Sequence, residues 1–358
     1  MIQRLGSWIY QRRIPLICLL LSLAGLYQRW VSLAGRELWN DEIYELSVVS
    51  GPFKNVFGHH LYGDFSCFPG DYLITYPFIQ LFGNHKVGIM IPHIILSIVG
   101  FVLLYALAKR YFRSAFAYAV TFALVAFNTN LVFHSFELRP YGAMAVLTLG
   151  AALSIDRLFA EFRSMAQFAK WLIALFLLFF VVFHVYGLII LFLLCLFQIC
   201  YRYPRLDIRS MSPALIKYLL TMMVFFGCIW IWYAAPNLKF FGFQKLALVK
   251  PMPVFEWIPN PVMDLKGFLK AIVGNLIGCD YLKWTLLGFA AIAMPWNTNR
   301  FNQLGFLVVM VIVAIELVLL ICLLNQYWFL QRQFAWVMPL FAFALGWLWD
   351  SFLSWRKS

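Results

Sequence analysis

Residues 14–45 read IPLICLLLSLAGLYQRWVSLAGRELWNDEIYE, and the rest of the chain is read outward from this stretch. Residues 14–34 are mostly apolar, over the roughly 20 residues that a helix needs to cross a bilayer core. The residues that follow pack four carboxylates, Glu37, Asp41, Glu42 and Glu45, into a short segment of a chain otherwise poor in acid. On a helix, Asp41 and Glu45 are four apart and share one face. Like charges at that spacing repel, so one of the two is expected to hold its proton more tightly. Folding alone asks for no such arrangement, whereas a cation, a substrate or a proton-transfer role does. By itself the stretch also reads as a solvated loop that happens to be acidic.

Composition favours the membrane. The chain of 358 residues is 63% hydrophobic and 19% aromatic, with only 12% charged, against about half apolar and a quarter charged in a soluble domain. The formal net charge of +13 does not point to nucleic acid, because the basic residues punctuate apolar runs of spanning length. That is the pattern of positive-inside anchoring. The first apolar run follows Arg12 and Arg13 without a small-residue cleavage site and reads as a retained span. Seven cysteines give no metal-binding spacing; most fall in apolar runs as small core residues. Cys67 and Cys279 fall in expected outer loops, where a disulfide is one option.

Ten spans are expected, at about 14–34, 87–108, 114–128, 140–158, 170–184, 187–201, 215–235, 282–296, 303–324 and 334–352. With the N-terminus inside, the inner segments collect Arg12, Arg13, Lys109, Arg110, Arg113, Arg157, Arg202, Arg205, Arg300 and Arg356, with few acids, among them Asp156 and Asp350. The ten spans return the C-terminus to the inside. The expected fold is an all-α polytopic membrane protein, a single transmembrane catalytic domain over 1–358. Two long outer segments, 36–86 and 236–281, flank the spans. The first contains a short apolar run, Pro69 to Gly83, whose length suits a helix lying in the membrane interface. Glu316 is an acid within the ninth span, and either a functional group or a buried acid bonded across helices.

Four short outer features share one side of the membrane: Trp39-Asn40-Asp41-Glu42, His134-Ser135-Phe136-Glu137-Leu138-Arg139-Pro140-Tyr141, His184-Val185-Tyr186-Gly187 and Phe329-Leu330-Gln331-Arg332-Gln333-Phe334. Turns that short need only Gly, Asn or Ser, so acids, histidines and arginines there ask for another reason.

In their order and sidedness these features resemble the GT-C membrane glycosyltransferases, in the branch of protein O-mannosyltransferases and the lipid A aminoarabinose transferase. The resemblance covers about residues 14–200 and returns weakly at Gln331-Arg332-Gln333-Phe334. It implies a GT-C-like bundle with extracytoplasmic juxtamembrane helices and a sugar donor on a polyprenyl or dolichyl phosphate. It also implies that the Asp of the first outer loop, here Asp41, is the catalytic base. The chain departs from the family where many members carry Pro-Pro and it has Pro69-Gly70. Its C-terminal part is also shorter than in many members, which leaves the acceptor class open.

The residue types suit that chemistry. An acceptor hydroxyl attacking the sugar's C1 loses a proton, and one positioned carboxylate can take it. The leaving phosphate needs cationic contacts, for which Arg139 and Arg332 are the candidates; Arg139 reads equally as a partner of Glu137 or a membrane anchor. Glu42, Glu137, His184 and Tyr186 are candidates for donor or acceptor contacts. Glu37, beside Arg36, is expected to be a charge-paired anchor. Asp41 with Glu42 offers hard oxygens to a divalent cation, and His59-His60 is a weaker metal candidate. A transporter or flippase-like carrier is the rival reading, with the outer acids as a gate. An inactive GT-C-like assembly subunit is a third.

Overall fold

A helix of 33 residues, α1 (Ile2–Ala34), begins the fold and contains the first expected span. The computed structural model describes residues 2–34, 36–56, 70–84, 86–161, 187–202 and 335–355, with isolated positions between 166 and 267. After α1 come α2 (Asn40–Val49), α3 (Gly70–Phe82), α4 (Lys86–Tyr111), α5 (Ala115–Phe127), α6 (Thr129–His134), α7 (Pro140–Glu161), α8 (Gly187–Arg202) and α9 (Met338–Trp355). The described residues contain no β-strand. The expected spans at 170–184, 215–235, 282–296 and 303–324 lie wholly or largely outside them. So do Cys67, Cys279, His59, His60, Glu316 and the loop 236–281.

Among the described residues, three segments are long and apolar enough to cross a membrane: Arg12–Ser32, Gly88–Tyr111 and Pro140–Ala160. Their outward faces carry the same message. On α1, Leu19, Leu20, Leu23, Tyr27, Trp30 and Val31 are exposed, and on α4, Ile95, Ile98, Val99 and Val102. Spacings of three and four put each set on a continuous helical face, and apolar surface of that extent belongs against hydrocarbon.

The third expected span, 114–128, is α5, and a second short helix, α6, follows it directly. Asn128 takes extended backbone angles, ends α5, and accepts the Leu131 N–H on its side chain at 2.8 Å to start α6. At about 1.5 Å per residue, α5 alone covers roughly 20 Å, short of a bilayer core of about 30 Å. It is nonetheless central, packed between α1 and α9. Small residues let the backbones approach. A Cβ on Gly25 of α1 would lie 2.9 Å from that of Ala126, and one on Gly346 of α9 would collide with the Thr121 hydroxyl. Around α5 the core gathers Leu104, Tyr118, Phe122, Ile155, Trp336 and Phe343, among others.

Polar contacts mark the two ends of the bundle. At one end the C-termini of α4, α7, α8 and α9 meet. Asp156 of α7 accepts from Tyr111 Oη (2.7 Å) and Arg202 Nη2 (2.8 Å) and pairs with Arg110. Asp350 of α9 accepts the Arg113 N–H at 2.9 Å and the Ser114 N–H at 2.5 Å, where α5 begins. The basic residues assigned to inner segments, Arg110, Arg113 and Arg202, therefore share this end. The opposite end carries α2, α3 and the 134–140 segment.

Candidate functional site

The opposite end is organised by α2, whose first turn is the Trp39-Asn40-Asp41-Glu42 motif. Trp39 caps the helix in extended conformation, and the Glu42 side chain reaches back to accept the Trp39 N–H at 2.9 Å. That is the reach-back half of a capping box, written in the sequence as an acid three residues after the cap. The other oxygen, Glu42 Oε1, accepts the Leu138 N–H at 2.9 Å and pairs with Arg36. Glu42 is fully buried. Its oxygens are taken by protein donors, so it ties the start of α2 to the 134–140 segment.

Arg36 holds the same junction. It lies over the Phe133 ring at 4.8 Å, and Trp39 packs edge-on against that ring. Its acid partner is Glu42. The expected pairing with Glu37 is not formed, and Glu37 is exposed. Glu42 reaches Arg36 because one helical turn folds it back toward the strand of chain entering α2, whereas adjacent residues in extended backbone point apart.

One turn further along α2, Glu45 is fully buried. It faces Asp71, in the first turn of α3, which is 2% exposed. Burial pushes the Glu45 carboxyl well up, and the neighbouring Asp71 adds to the shift against the opposing field of Arg139. Asp71 is raised to about 7, first by burial, with Arg139 again opposing. Among the described residues, no N–H or O–H donor meets either Glu45 oxygen or Asp71 Oδ2. A proton on Glu45 supplies the donor that joins it to Asp71. The sequence expected an acid pair on α2 itself, Asp41 with Glu45. The shift falls on Glu45: burial is its first cause, and the charges that add to it include Asp71 of α3 and Glu42 of α2. The side chain of Asp41 lies outside the description; its backbone stands in the first turn of α2. Thr75, one turn beyond Asp71, is likewise buried with an unpartnered hydroxyl.

The 134–140 segment closes the group. His134 Nδ1 lies 2.8 Å from Glu137 Oε2, and both side chains are buried. Glu137 thus takes His134 as partner, while Arg139 directs its field at Glu45 and Asp71. His93 of α4 sits between two carbonyls, Ile89 O at 2.7 Å and Glu137 O at 3.0 Å. An apolar patch of Val48, Val49, Tyr72, Ile79, Ile89 and Leu138 fixes α2, α3 and α4 against the segment. Gln80 of α3 donates to Val49 O at 2.9 Å.

Of the four outer features, the first two therefore meet: the buried Glu42 and Glu137 and the half-buried Arg139 all act on Asp71 as one ionic group. His184, Tyr186 and Arg332 lie outside the described residues. Asp71, His93 and Arg29 were not singled out by sequence. Their signals were an acid after Pro69-Gly70 at a helix start and two ionisable residues within apolar runs. No group of three or more His, Cys, Asp or Glu among the described residues is placed to hold a metal ion. Comparison with known families, curated proteins and solved structures finds no match for this chain.

Proposed function

We propose that the chain is a membrane glycosyltransferase moving a sugar from a polyprenyl-phosphate donor to an acceptor at the extracytoplasmic face, with Asp41 as general base. The observation that supports this most directly is the bracing of the Trp39-Asn40-Asp41-Glu42 turn. Glu42 joins it to Leu138 and Arg36, so the backbone of Asp41 is held at the mouth of the bundle, just beyond α1. A base must keep a fixed position relative to the hydroxyl it deprotonates. In this reading Asp41 takes the acceptor proton, Arg139 and Arg332 face the leaving phosphate, and Glu137, His184 and Tyr186 line the sugar. Glu42 acts as a positioning residue. The donor is membrane-borne, and an active site level with the helix ends meets it without extracting its lipid. Both chain termini are then cytoplasmic, opposite the site, and the ten-span arrangement closes the bundle.

The test is turnover and donor affinity on the same purified variant. Asp41→Asn keeps the shape and removes the proton acceptor; loss of a general base costs about 10²–10⁴ in rate, with donor binding retained. Near-normal turnover in Asp41→Asn, alongside loss in Glu137→Gln, would move the base to another acid.

One observation favours a carrier instead. The buried acids Glu45 and Asp71, with Asp71 raised to about 7, are groups of the kind that proton-coupled carriers use. A carrier would drive pH-dependent uptake into proteoliposomes with no sugar donor present.

A further inference from the structure

Arg29 stands inside the Arg12–Ser32 segment of α1 and is 4% exposed. Its guanidinium keeps its charge even there, since arginine does not lose its proton in proteins. Its donors meet neutral oxygens: Nε donates to Ser135 Oγ at 3.1 Å, Nη1 to Gly25 O at 3.1 Å and Ala126 O at 3.2 Å, and Nη2 to Val125 O at 3.1 Å. Val125 and Ala126 belong to the last turn of α5, whose open carbonyls carry about half a negative charge. Among the described residues, no ion pair includes Arg29. About half a positive charge is thus left uncompensated in a buried place, and of five N–H donors one, on Nη2, remains.

The same guanidinium borders a partly open cavity of about 40 Å³ between α1, α4, α5, α6 and α7. Ser97 of α4 and Ser135 are its other polar side chains, and Leu96, Phe101 and Leu149 are among its apolar walls. Ser135 is already engaged: its hydroxyl accepts from Arg29 and donates to Leu131 O. Ser97, 8% exposed, enters no hydrogen bond among the described residues. A cation and an uncommitted hydroxyl, each more than nine-tenths buried, therefore border one small space. At about 10–15 Å³ for each water-sized occupant, that space has room for about three. It is too small for a phosphate or sulfate with any attached group, and large enough for a single charged atom with a water beside it. We propose that this cavity is a halide site, with chloride as its ion, held between Arg29 Nη2 and the Ser97 hydroxyl. A buried charge is costly until it is paired, and this cost is what gives the site its affinity. The small volume and the apolar walls select against larger, more strongly hydrated anions. The bound ion links α1 to α4.

The experiment titrates chloride into the full chain, held in zwitterionic nanodiscs in gluconate buffer, and follows the chlorine NMR linewidth, which broadens as ions exchange with a protein site. The wild type should show saturable broadening that bromide competes away and sulfate does not. Its melting temperature should rise in chloride relative to gluconate at equal ionic strength, because a ligand that binds the folded state stabilises it. Arg29→Gln should lose the saturable phase. Because Arg29 also ties α1 to α5, that change puts the fold at stake, and Ser97→Ala is the second variant: it leaves the four Arg29 bonds in place. Ser97→Ala should keep the wild-type melting profile in gluconate and bind chloride about tenfold more weakly, the value of one hydrogen bond to a charged group. A response that does not saturate in the wild type, or sulfate competing as well as bromide, would overturn the proposal. So would Ser97→Ala binding chloride as the wild type does, which would assign the ion to surface Lys and Arg. None of these readouts involves sugar transfer, so the halide site stands or falls apart from the transferase reading.

Discussion

Glu45 and Asp71 come from different helices, α2 and α3, and bring their carboxyl groups together in a space closed to solvent, with Arg139 acting on both. Two ionised carboxylates cannot share such a place at ordinary cost. One proton between them is the arrangement that burial and like charge both favour.

That pair gives stability a pH dependence of known sign. Both folded-state values lie above the unfolded ones, and Asp71 moves from 3.8 to about 7. The folded state thus binds the proton more tightly, and its stabilising contribution is full below the unfolded value. It is lost as pH rises through about 7. Thermal unfolding across this window should show the wild type losing stability with rising pH relative to the Glu45→Gln/Asp71→Asn double variant, in which neither member of the pair titrates. Parallel pH profiles for the two would mean that the pair holds no proton.

Glu42 and Arg36 form a buried pair, with side chains 1% and 10% exposed. Removing one partner leaves a buried charge, and Glu42→Ala should cost about 3–5 kcal/mol. Arg36→Met combined with Glu42→Gln should cost less than the two single changes added together. Additive losses in denaturation would show that the two side chains act independently.

Gly346 bears on the contact between α9 and α5. A side chain there meets the Thr121 hydroxyl and the Ala117 carbonyl, so Gly346→Leu should lower stability by about 1–3 kcal/mol or more through overpacking. Gly227, around which no described residue lies within 4 Å of an added Cβ, provides the control: Gly227→Ala should leave the melting temperature near that of the wild type.

Topology follows from where the basic residues gather. Reporter fusions at Arg113 and Arg205 should read cytoplasmic, and fusions at Lys54 and Asn84 external. A cytoplasmic signal at Lys54 would put the acidic motif on the wrong face for a lipid-borne donor.

Much of the framework was readable from hydropathy, because a bilayer-length apolar run leaves the backbone little choice but helix. The helices α1, α4 and α7 stand where such runs predicted them, and α3 matches the short run after Pro69. Asn128, read as the polar end of the third span, does end α5; what hydropathy leaves unread is the short helix α6 that its bond to Leu131 starts. The acidic motif was found from its density of carboxylates, but the partners were not. Adjacency favoured Arg36 with Glu37, whereas Arg36 pairs with Glu42 one helical turn on, and Glu45 meets Asp71 of α3. Tertiary packing decides the Glu45–Asp71 pair, and nothing local encodes it. Arg29 was hidden for another reason: one cation in an apolar run does not disturb its average.

The carboxylate of Asp350, bonded to the Arg113 and Ser114 amides from 237 and 236 positions later in the chain, has a meaning in time as well as in space. A ribosome delivers α5 long before it delivers α9. Until α9 docks, those two amides have no Asp350 to accept them. Biogenesis therefore has a late closing step, and a nascent chain released before Asp350 presents α5 to quality-control proteases with its entry still open.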